Sequence, residues 1–132
     1  MTDHPLKAVI AAADRAITAE AFDEVMAFYA EEASLVIRPG LVVSGKAAIR
    51  RAFVAIAEHF KHRLVVKQGD MTVLEGADTA LVIMDSILEV PDDDGNMETV
   101  TRCATYVFRK TDEGDWLCVI DNSYGTALLD PA

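Results

Sequence analysis

The stretch Thr99–Tyr124 constrains the fold more than any other part of the chain. It reads TVTRCATYVFRKTDEGDWLCVIDNSY, in which two runs of mostly apolar and β-branched residues flank the polar break Lys110–Asp115. Val, Thr, Tyr and Phe suit a pleated, half-buried surface, and a polar break with Gly near its end favours a hairpin. We therefore predict two long antiparallel strands joined by a tight turn.

Side chains alternate across a strand, so this hairpin has two faces, and both are largely apolar. The first face carries Arg102, Ala104, Tyr106, Phe108, Trp116, Cys118, Ile120, Asn122 and Tyr124. It combines an aromatic cluster with a polar end, and an apolar surface with a few converging polar groups is what a small-molecule pocket requires. We predict that this face forms the wall of a pocket.

The opposite face of the predicted sheet is also apolar or neutral. Its residues are Leu81, Ile83, Ile87, Cys103, Thr105, Val107, Leu117 and Val119. Helices can cover only one side of the sheet, and an exposed apolar patch this broad usually marks an interface. The pattern predicts a two-fold homodimer in which the sheets pack face to face.

Charge and length narrow the range of partners and locations. The chain has 132 residues, with 22 Asp and Glu against 12 Lys and Arg, which gives a formal net charge of −10. An acidic surface repels phosphate backbones and anionic lipids, so we expect neither nucleic acid nor membrane as a partner. The start, Met1–Lys7, lacks the pattern of a signal peptide, and Cys103 and Cys118 have opposite parity and could not easily bridge. We expect one cytoplasmic domain over residues 1–132.

The rest of the chain predicts helices before strands. Apolar residues recur with helical spacing over 5–19, again from Phe22 to Tyr29, and over 46–59. A short strand is predicted at Leu35–Ile37, and long strands at 63–74, 79–90, 98–109 and 116–124, with Gly69 as the site of a bulge. Helices gathered before a run of antiparallel strands indicate an α+β fold, with the helices packed on one face of a curved sheet.

Three segments resemble the nuclear transport factor 2-like superfamily, which includes ketosteroid isomerases and polyketide cyclases. They are Tyr29–Leu35 with Pro39–Gly40, Ser44–Arg50, and Gly114–Ser123. The sequence as a whole resembles most an uncharacterised bacterial subgroup. The resemblance implies a cone-shaped α+β barrel, in which three N-terminal helices close a curved antiparallel sheet around a deep pocket. It also implies dimers formed through the outer face of the sheet. It specifies fold rather than function, because the superfamily hosts many chemistries and many non-enzymes.

The ketosteroid isomerase mechanism can be compared with these residues. It needs a carboxylate base and a pair of neutral hydrogen-bond donors that hold an enolate. The resemblance places the base at Ile37 or Arg38, and the segment Leu35–Pro39 contains no Asp or Glu. The donor position falls near Tyr106, which can donate to an oxyanion, although the family uses a carboxylic acid there. We therefore expect no ketosteroid isomerase activity.

Two functions of different classes stay open. The first is a pocket protein that binds a flat, mainly apolar ligand with an acceptor group, and the missing carboxylate favours it. The second is a small enzyme that carries out isomerase- or cyclase-like proton transfer on an aromatic or polyketide-like substrate, and the polar end of the pocket favours it. Its catalytic candidates are Tyr106 and Asp121, the latter if a bulge turns it inward, with Asp85 as an alternative base.

The residues predicted to bind the ligand lie on the pocket face and on the elements that can reach it. They are Arg102, Tyr106, Trp116, Asn122, Tyr124, Phe22, Met26, Phe53 and Met84. Antiparallel pairing places Arg102 at the same end of the sheet as Asn122 and Tyr124, and its planar guanidinium suits a carboxylate, phenolate or carbonyl. The alternative is that Arg102 pairs with a nearby acid and that Tyr106 is a core residue.

The sequence predicts no metal and no cofactor. His59 and His62 stand three residues apart, as two ligands on one side of a helix can, but no third ligand is within reach in the sequence. Gly40 and Gly45 fit no phosphate-binding loop.

Overall fold

The computed structural model describes residues 4–130. Three helices come early in the chain, α1 (Pro5–Thr18), α2 (Phe22–Met26) and α3 (Lys46–His59). The strands are β1 (Tyr29–Arg38), β2 (Leu41–Ser44), β3 (Val65–Gly76), β4 (Thr79–Pro91), β5 (Met97–Lys110) and β6 (Trp116–Asn122), and a short 3-10 helix, η1 (Gly125–Leu129), follows. Most predicted boundaries are within two residues of these.

The first strand is the largest departure from the predicted elements. β1 has ten residues, from Tyr29 to Arg38, where the sequence predicts a short strand at Leu35–Ile37. Its first residue, Tyr29, was expected on the second helix, which ends instead at Met26. Helical spacing misleads here because Tyr29, Ala30 and Ala33 are buried in the core as strand residues, while Glu31 and Glu32 between them are exposed.

All six strands belong to one sheet with the order β2-β1-β6-β5-β4-β3. Neighbouring strands are antiparallel except β1 and β6, which are parallel and place Leu35 beside Asp121. The last four strands form the predicted meander, and the β1–β2 hairpin joins it through the parallel pair. The architecture is therefore α+β, with a curved sheet that stays open at its β2 and β3 edges.

The helices cover one face of the sheet and enclose the core there. α1 packs on β3 and α3 packs on β1, while α2 contacts both of the other helices. The largest fully buried side chains are Tyr29, Phe108, Leu6, Ile10, Ile49, Met84, Val25, Val82 and Cys118. β4 shows the alternation clearly, because Val82, Met84 and Ser86 are buried and the residues between them point to the outer face.

A β-bulge in β6 changes which residues of that strand face inward. Phe108 pairs with Cys118 but Val107 pairs with Ile120, so Val119 is an extra residue on β6. Such a bulge reverses the alternation beyond it. Cys118 lies before the bulge and is buried, whereas beyond it Ile120 is 46% exposed and Asp121 turns into the interior.

Another bulge lies where the sequence predicts it, at Gly69. The pairing of β3 with β4 shifts between Gln68 and Met71. A Cβ atom on Gly69 would lie 2.9 Å from both the Cβ and the carbonyl oxygen of Asp85, which is closer than real Cβ contacts allow. Glycine is required there because the two strands approach closely.

Candidate functional site

A cavity of about 580 Å³ lies between the helices and the inner face of the sheet. Its volume is in the range of small-molecule sites, which run from roughly 300 to 1,000 Å³. Its apolar lining includes Ile17, Leu35, Val36, Ile37, Phe53, Ile56, Phe60, Leu64, Val66 and Leu88. Its polar lining is Asp14, Arg38, His59, Ser86, Arg102, Tyr106, Asp121, Ser123 and Tyr124.

Asp121 is the carboxylate that the bulge in β6 turns into this cavity. It stands opposite Tyr106 in the β5–β6 pairing and is 7% exposed. The Tyr29 hydroxyl donates to Asp121 Oδ2 at 2.5 Å, and within residues 4–130 this is the only hydrogen bond to the carboxyl group. Burial raises the pKa of Asp121 to about 6, and the hydrogen bond from Tyr29 opposes that rise. At neutral pH the group is mostly ionised, with a pKa suited to a general base.

Asp14 supplies a second carboxyl group to the cavity, from α1. It is 6% exposed, and its buried Oδ2 has no hydrogen-bond partner among the described residues. Burial, and then the nearby charge of Asp121, raise the pKa of Asp14 to about 7, while Arg15 lowers it. An unsatisfied buried acceptor costs about 1–3 kcal/mol, so Asp14 is favoured in its protonated form, as a hydrogen-bond donor.

Tyr106 completes the polar end of the cavity. Its ring is 7% exposed, and its hydroxyl makes no hydrogen bond with the described residues. Burial and the charge of Asp121 hold the pKa of Tyr106 well above its usual value, so the phenol stays neutral and can donate. We call Asp14, Tyr29, Tyr106 and Asp121 the inner end of the cavity. It offers one carboxylate acceptor beside two neutral donors.

The other end of the cavity is cationic. The Arg102 guanidinium lies over the Tyr124 ring at 4.4 Å from its centroid, and it forms no ion pair within residues 4–130. Arg38 and His59, both exposed, also line this end. We call Arg38, His59, Arg102 and Tyr124 the mouth end. The alternative interpretation, that Arg102 pairs with a neighbouring acid, does not match this arrangement.

The structure brings part of the predicted site together. Of the predicted catalytic and ligand-binding residues, Phe53, Arg102, Tyr106, Asp121 and Tyr124 line the cavity. Asp85, the alternative base, pairs with Cys103 on the outer side of the β4–β5 ladder and does not line it.

The other predicted ligand-binding residues lie elsewhere. Met84 is 1% exposed within the core, and Phe22 and Met26 pack against the core from α2. Trp116 is half-buried where β6 begins, with Lys110 Nζ 5.4 Å from the centroid of its ring. The aromatic cluster beside the cavity consists instead of Phe28, Tyr29, Tyr106 and Phe108. Asn122 was expected on the pocket face, and this is wrong because the bulge puts it opposite Thr105 on the outer ladder.

Asn122 still supports the mouth end through the turn that follows β6. Its Oδ1 accepts a hydrogen bond from the Tyr124 backbone N–H at 3.1 Å, and its Nδ2 donates to the Gly125 carbonyl at 3.2 Å. These bonds fix the backbone of Tyr124, on whose ring Arg102 stacks. Asn122 therefore acts on the mouth end through another residue.

The histidine pair adds no further site. His62 Nδ1 lies 2.8 Å from Glu20 Oε1, and the His59 ring packs edge-on against Phe60 at 4.8 Å. In the part of the chain from residue 4 to residue 130, no group of three His, Cys, Asp or Glu side chains is arranged to hold a metal ion. No helix in that same range has the length and apolarity needed to cross a membrane.

Comparison with protein families identifies this chain. The model of the SnoaL-like domain matches residues 6–119. The chain belongs to the SnoaL-like family. In this SnoaL-like protein the matched segment covers the three helices, strands β1 to β5 and the first part of β6. It ends before Asp121, so the match itself carries nothing about the role of that carboxylate. A search of curated proteins finds no significant match.

Solved structures show the same fold. A proposed dehydratase of the nuclear transport factor 2-like family from Streptomyces avermitilis has 24% identity and a TM-score of 0.70, over 89% of this chain and 91% of its own. The protein Aln2 from another Streptomyces strain has 18% identity and a TM-score of 0.78, over 92% of both chains. An uncharacterised protein with a cystatin-like fold from Caulobacter vibrioides has 18% identity and a TM-score of 0.73, over 96% of this chain and 93% of its own. These likenesses confirm the predicted α+β fold.

Proposed function

We propose that this SnoaL-like protein binds a small, mainly apolar molecule that carries a carbonyl group and catalyses proton transfer beside that carbonyl. The observation that carries the proposal is Asp121, an ionisable carboxylate turned into a largely apolar cavity opposite two neutral donors. Perturbed pKa values cluster at functional sites, and a general base works best when its pKa is near the working pH. Burial raises the pKa values of Asp121 and Asp14 to about 6 and about 7.

Each group has a defined part in the proposed reaction. Asp121 accepts a proton from the carbon next to the carbonyl, and the electrons of the broken C–H bond move to the carbonyl oxygen as an enolate. The Tyr106 hydroxyl and the protonated Asp14 donate hydrogen bonds to that oxygen. Asp121 then returns the proton to the same or a conjugated carbon. Tyr29 holds the Asp121 carboxylate in place through its hydrogen bond to Oδ2.

An enzyme fits this cavity better than a simple binding protein. The absence of a carboxylate from the segment Leu35–Pro39 favoured a binder, but the neighbouring strand supplies one, because Asp121 pairs in register with Leu35. Binding an apolar molecule does not need a buried carboxyl group, whose ionisation is opposed by its surroundings. The expected lack of ketosteroid isomerase activity stays a prediction. It rests on the segment Leu35–Pro39, which contains no Asp or Glu, whereas the base proposed here comes from β6.

Hydrogen exchange at a ketone tests this function without knowledge of the natural substrate. We would incubate 2-naphthylacetone, a flat enolisable ketone, with the protein in deuterated water and follow loss of its α-proton signal by NMR. The wild-type protein should accelerate exchange above buffer. Asp121→Asn should lower the protein-dependent rate by about 10²–10⁴-fold, because a neutral amide cannot accept the proton.

The alternative base provides the matched control. Asp85→Asn removes a carboxylate that lies on the outer ladder, so it should leave exchange unchanged. The rate should rise with pH up to about 6 as Asp121 ionises and fall above about 7 as Asp14 loses its proton. Exchange by folded Asp121→Asn at the wild-type rate would contradict the proposal, and so would no exchange by the wild-type protein.

We also propose that the protein forms a two-fold dimer through the outer face of the sheet. Ile83 and Ile120 are 38% and 46% exposed on that face, where the helices do not cover the strands. Sedimentation at micromolar concentration should report a dimer, and Ile83→Lys should shift it toward monomer because a charge would have to be buried. A wild-type monomer under these conditions would contradict the dimer. Cytoplasmic location likewise stays a prediction.

A further inference from the structure

We infer that the mouth end binds a carboxylate, so that the substrate is an anionic ketone whose charged group contacts Arg102 while its carbonyl lies at the inner end. This inference rests on the proposed function for the position of the carbonyl. Recognition of the anion depends on a different set of residues and can be measured by binding alone.

The distribution of charge in the cavity is the first argument. The whole chain is acidic, with a formal net charge of −10. The mouth end nevertheless carries Arg38 and Arg102, and the carboxylates that line the cavity, Asp14 and Asp121, both lie at the inner end. An acidic protein that lines one end of its cavity with arginine provides a local field for an anion.

The geometry of Arg102 is the second argument. Its guanidinium lies over the face of the Tyr124 ring, 4.4 Å from the centroid, and it forms no ion pair within residues 4–130. This contact holds the guanidinium beside Tyr124 without using an acid as a partner, so its N–H donors can meet a carboxylate with two parallel hydrogen bonds. The Asn122 side chain holds Tyr124 in position through the backbone N–H. Arg102 is therefore oriented before any ligand arrives.

The spacing along β5 is the third argument. Arg102 and Tyr106 are four residues apart on one strand and both line the cavity. At about 3.3 Å per residue their Cα atoms are about 13 Å apart. A two- or three-ring skeleton with groups at opposite ends spans this distance. A carboxylate held at Arg102 is paired with the guanidinium, which offsets its effect on the ionisation of Asp121.

A pair of probes that differ only in charge tests the inference. The first is 6-acetonyl-2-naphthoic acid and the second is its methyl ester; naphthalene fluorescence or calorimetry measures the Kd of each, and NMR measures α-proton exchange. The wild-type protein should bind the acid more tightly than the ester. Arg102→Ala should weaken binding of the acid by about 10- to 100-fold, in keeping with loss of a hydrogen bond to a charged group, and should change binding of the ester less than about twofold.

Two further variants separate a specific contact from general charge. Arg51→Ala removes an exposed arginine of α3 that does not line the cavity, and it should leave binding of both probes unchanged. Arg102→Lys keeps the charge but loses the planar fork, so its affinity for the acid should be intermediate. Circular dichroism of each variant verifies that it is folded.

The outcomes of this experiment are distinguishable from those of the proposed function. Preference for the acid that depends on Arg102 supports the anion site, even if no exchange is seen and the catalytic proposal fails. Equal binding of acid and ester by the wild-type protein overturns the anion site, even if exchange depends on Asp121. Equal loss of acid binding in Arg51→Ala and Arg102→Ala also overturns it, because the effect would then be one of net charge.

Discussion

The two ends of the cavity differ in how far their ionisable side chains are buried. At the inner end, burial raises the pKa values of Asp14, Tyr106 and Asp121, and the surroundings oppose ionisation of each group. At the mouth end, Arg38 and His59 are exposed and Arg102 is half-buried, so these side chains keep much of their contact with water. The comparison indicates that proton transfer belongs to the inner end, where burial brings the pKa values of the carboxyl groups close to neutral pH. Substrate selection belongs to the mouth end, where side chains can be exchanged with little effect on the fold.

The inner end should therefore make the protein less stable at neutral and alkaline pH than at about pH 4. Asp14 has a pKa raised from 3.8 to about 7, so the folded state holds its proton through a range in which the unfolded state has lost it. Stability from this group falls as pH rises from about 4 to about 7, because over that range the folded state binds more protons than the unfolded state.

Asp14→Asn gives the largest change in stability that we expect. A neutral amide removes the cost of ionising a buried acid, which is about 1.4 kcal/mol for each unit of pKa shift, less the cost of burying an unpaired amide. At pH 8 we expect the free energy of unfolding to rise by about 2–3 kcal/mol. At pH 4 Asp14 is protonated in the folded wild-type protein, so only the cost of the amide remains and the stabilisation should be absent. Urea denaturation at the two pH values measures the difference.

Asp70→Asn is the matched control for this stabilisation. Asp70 is an exposed carboxylate of β3, so its replacement should change the free energy of unfolding by less than about 0.5 kcal/mol at either pH. Asp14→Asn should also lower α-proton exchange, because stability and activity make opposite demands on a buried acid. Equal stability of wild type and Asp14→Asn at pH 8 would show that burial does not oppose ionisation of Asp14.

The two ends also differ in how far the sequence predicts them. Arg102 and Tyr106 could be placed on the pocket face because the alternation of β5 is regular. Asp121 depends on a bulge whose extra residue, Val119, is an ordinary strand former, so no glycine or turn residue in the sequence marks its position. Asp121 was therefore available only as a conditional candidate, and Asn122 was placed on the wrong face for the same reason.

Asp14 is different, because a signal for it is present in the sequence. It lies four residues after Ile10 and three before Ile17, on the apolar face of α1. A carboxylate on the buried face of an amphipathic helix is rare unless it is paired or functional, so this position could have been singled out from periodicity alone. The α+β fold itself was predictable because element lengths and turn residues agree along most of the chain, with β1 as the exception.

The smallest expected effect tests whether the two ends are independent. Asn122→Ala removes two hydrogen bonds in the turn after β6, to the Tyr124 N–H and the Gly125 carbonyl, and should lower the free energy of unfolding by about 1 kcal/mol. Tyr124 would then hold Arg102 less firmly, so we expect several-fold weaker binding of 6-acetonyl-2-naphthoic acid. Asn122→Asp keeps an acceptor for the Tyr124 N–H and should retain more of that binding.

Exchange of neutral 2-naphthylacetone depends on the inner end and should not change in either variant. An equal loss of acid binding and ketone exchange in Asn122→Ala would mean that the turn supports the adjacent residue, Asp121, as well as Tyr124, and the separation of the cavity into two independent ends would then be wrong.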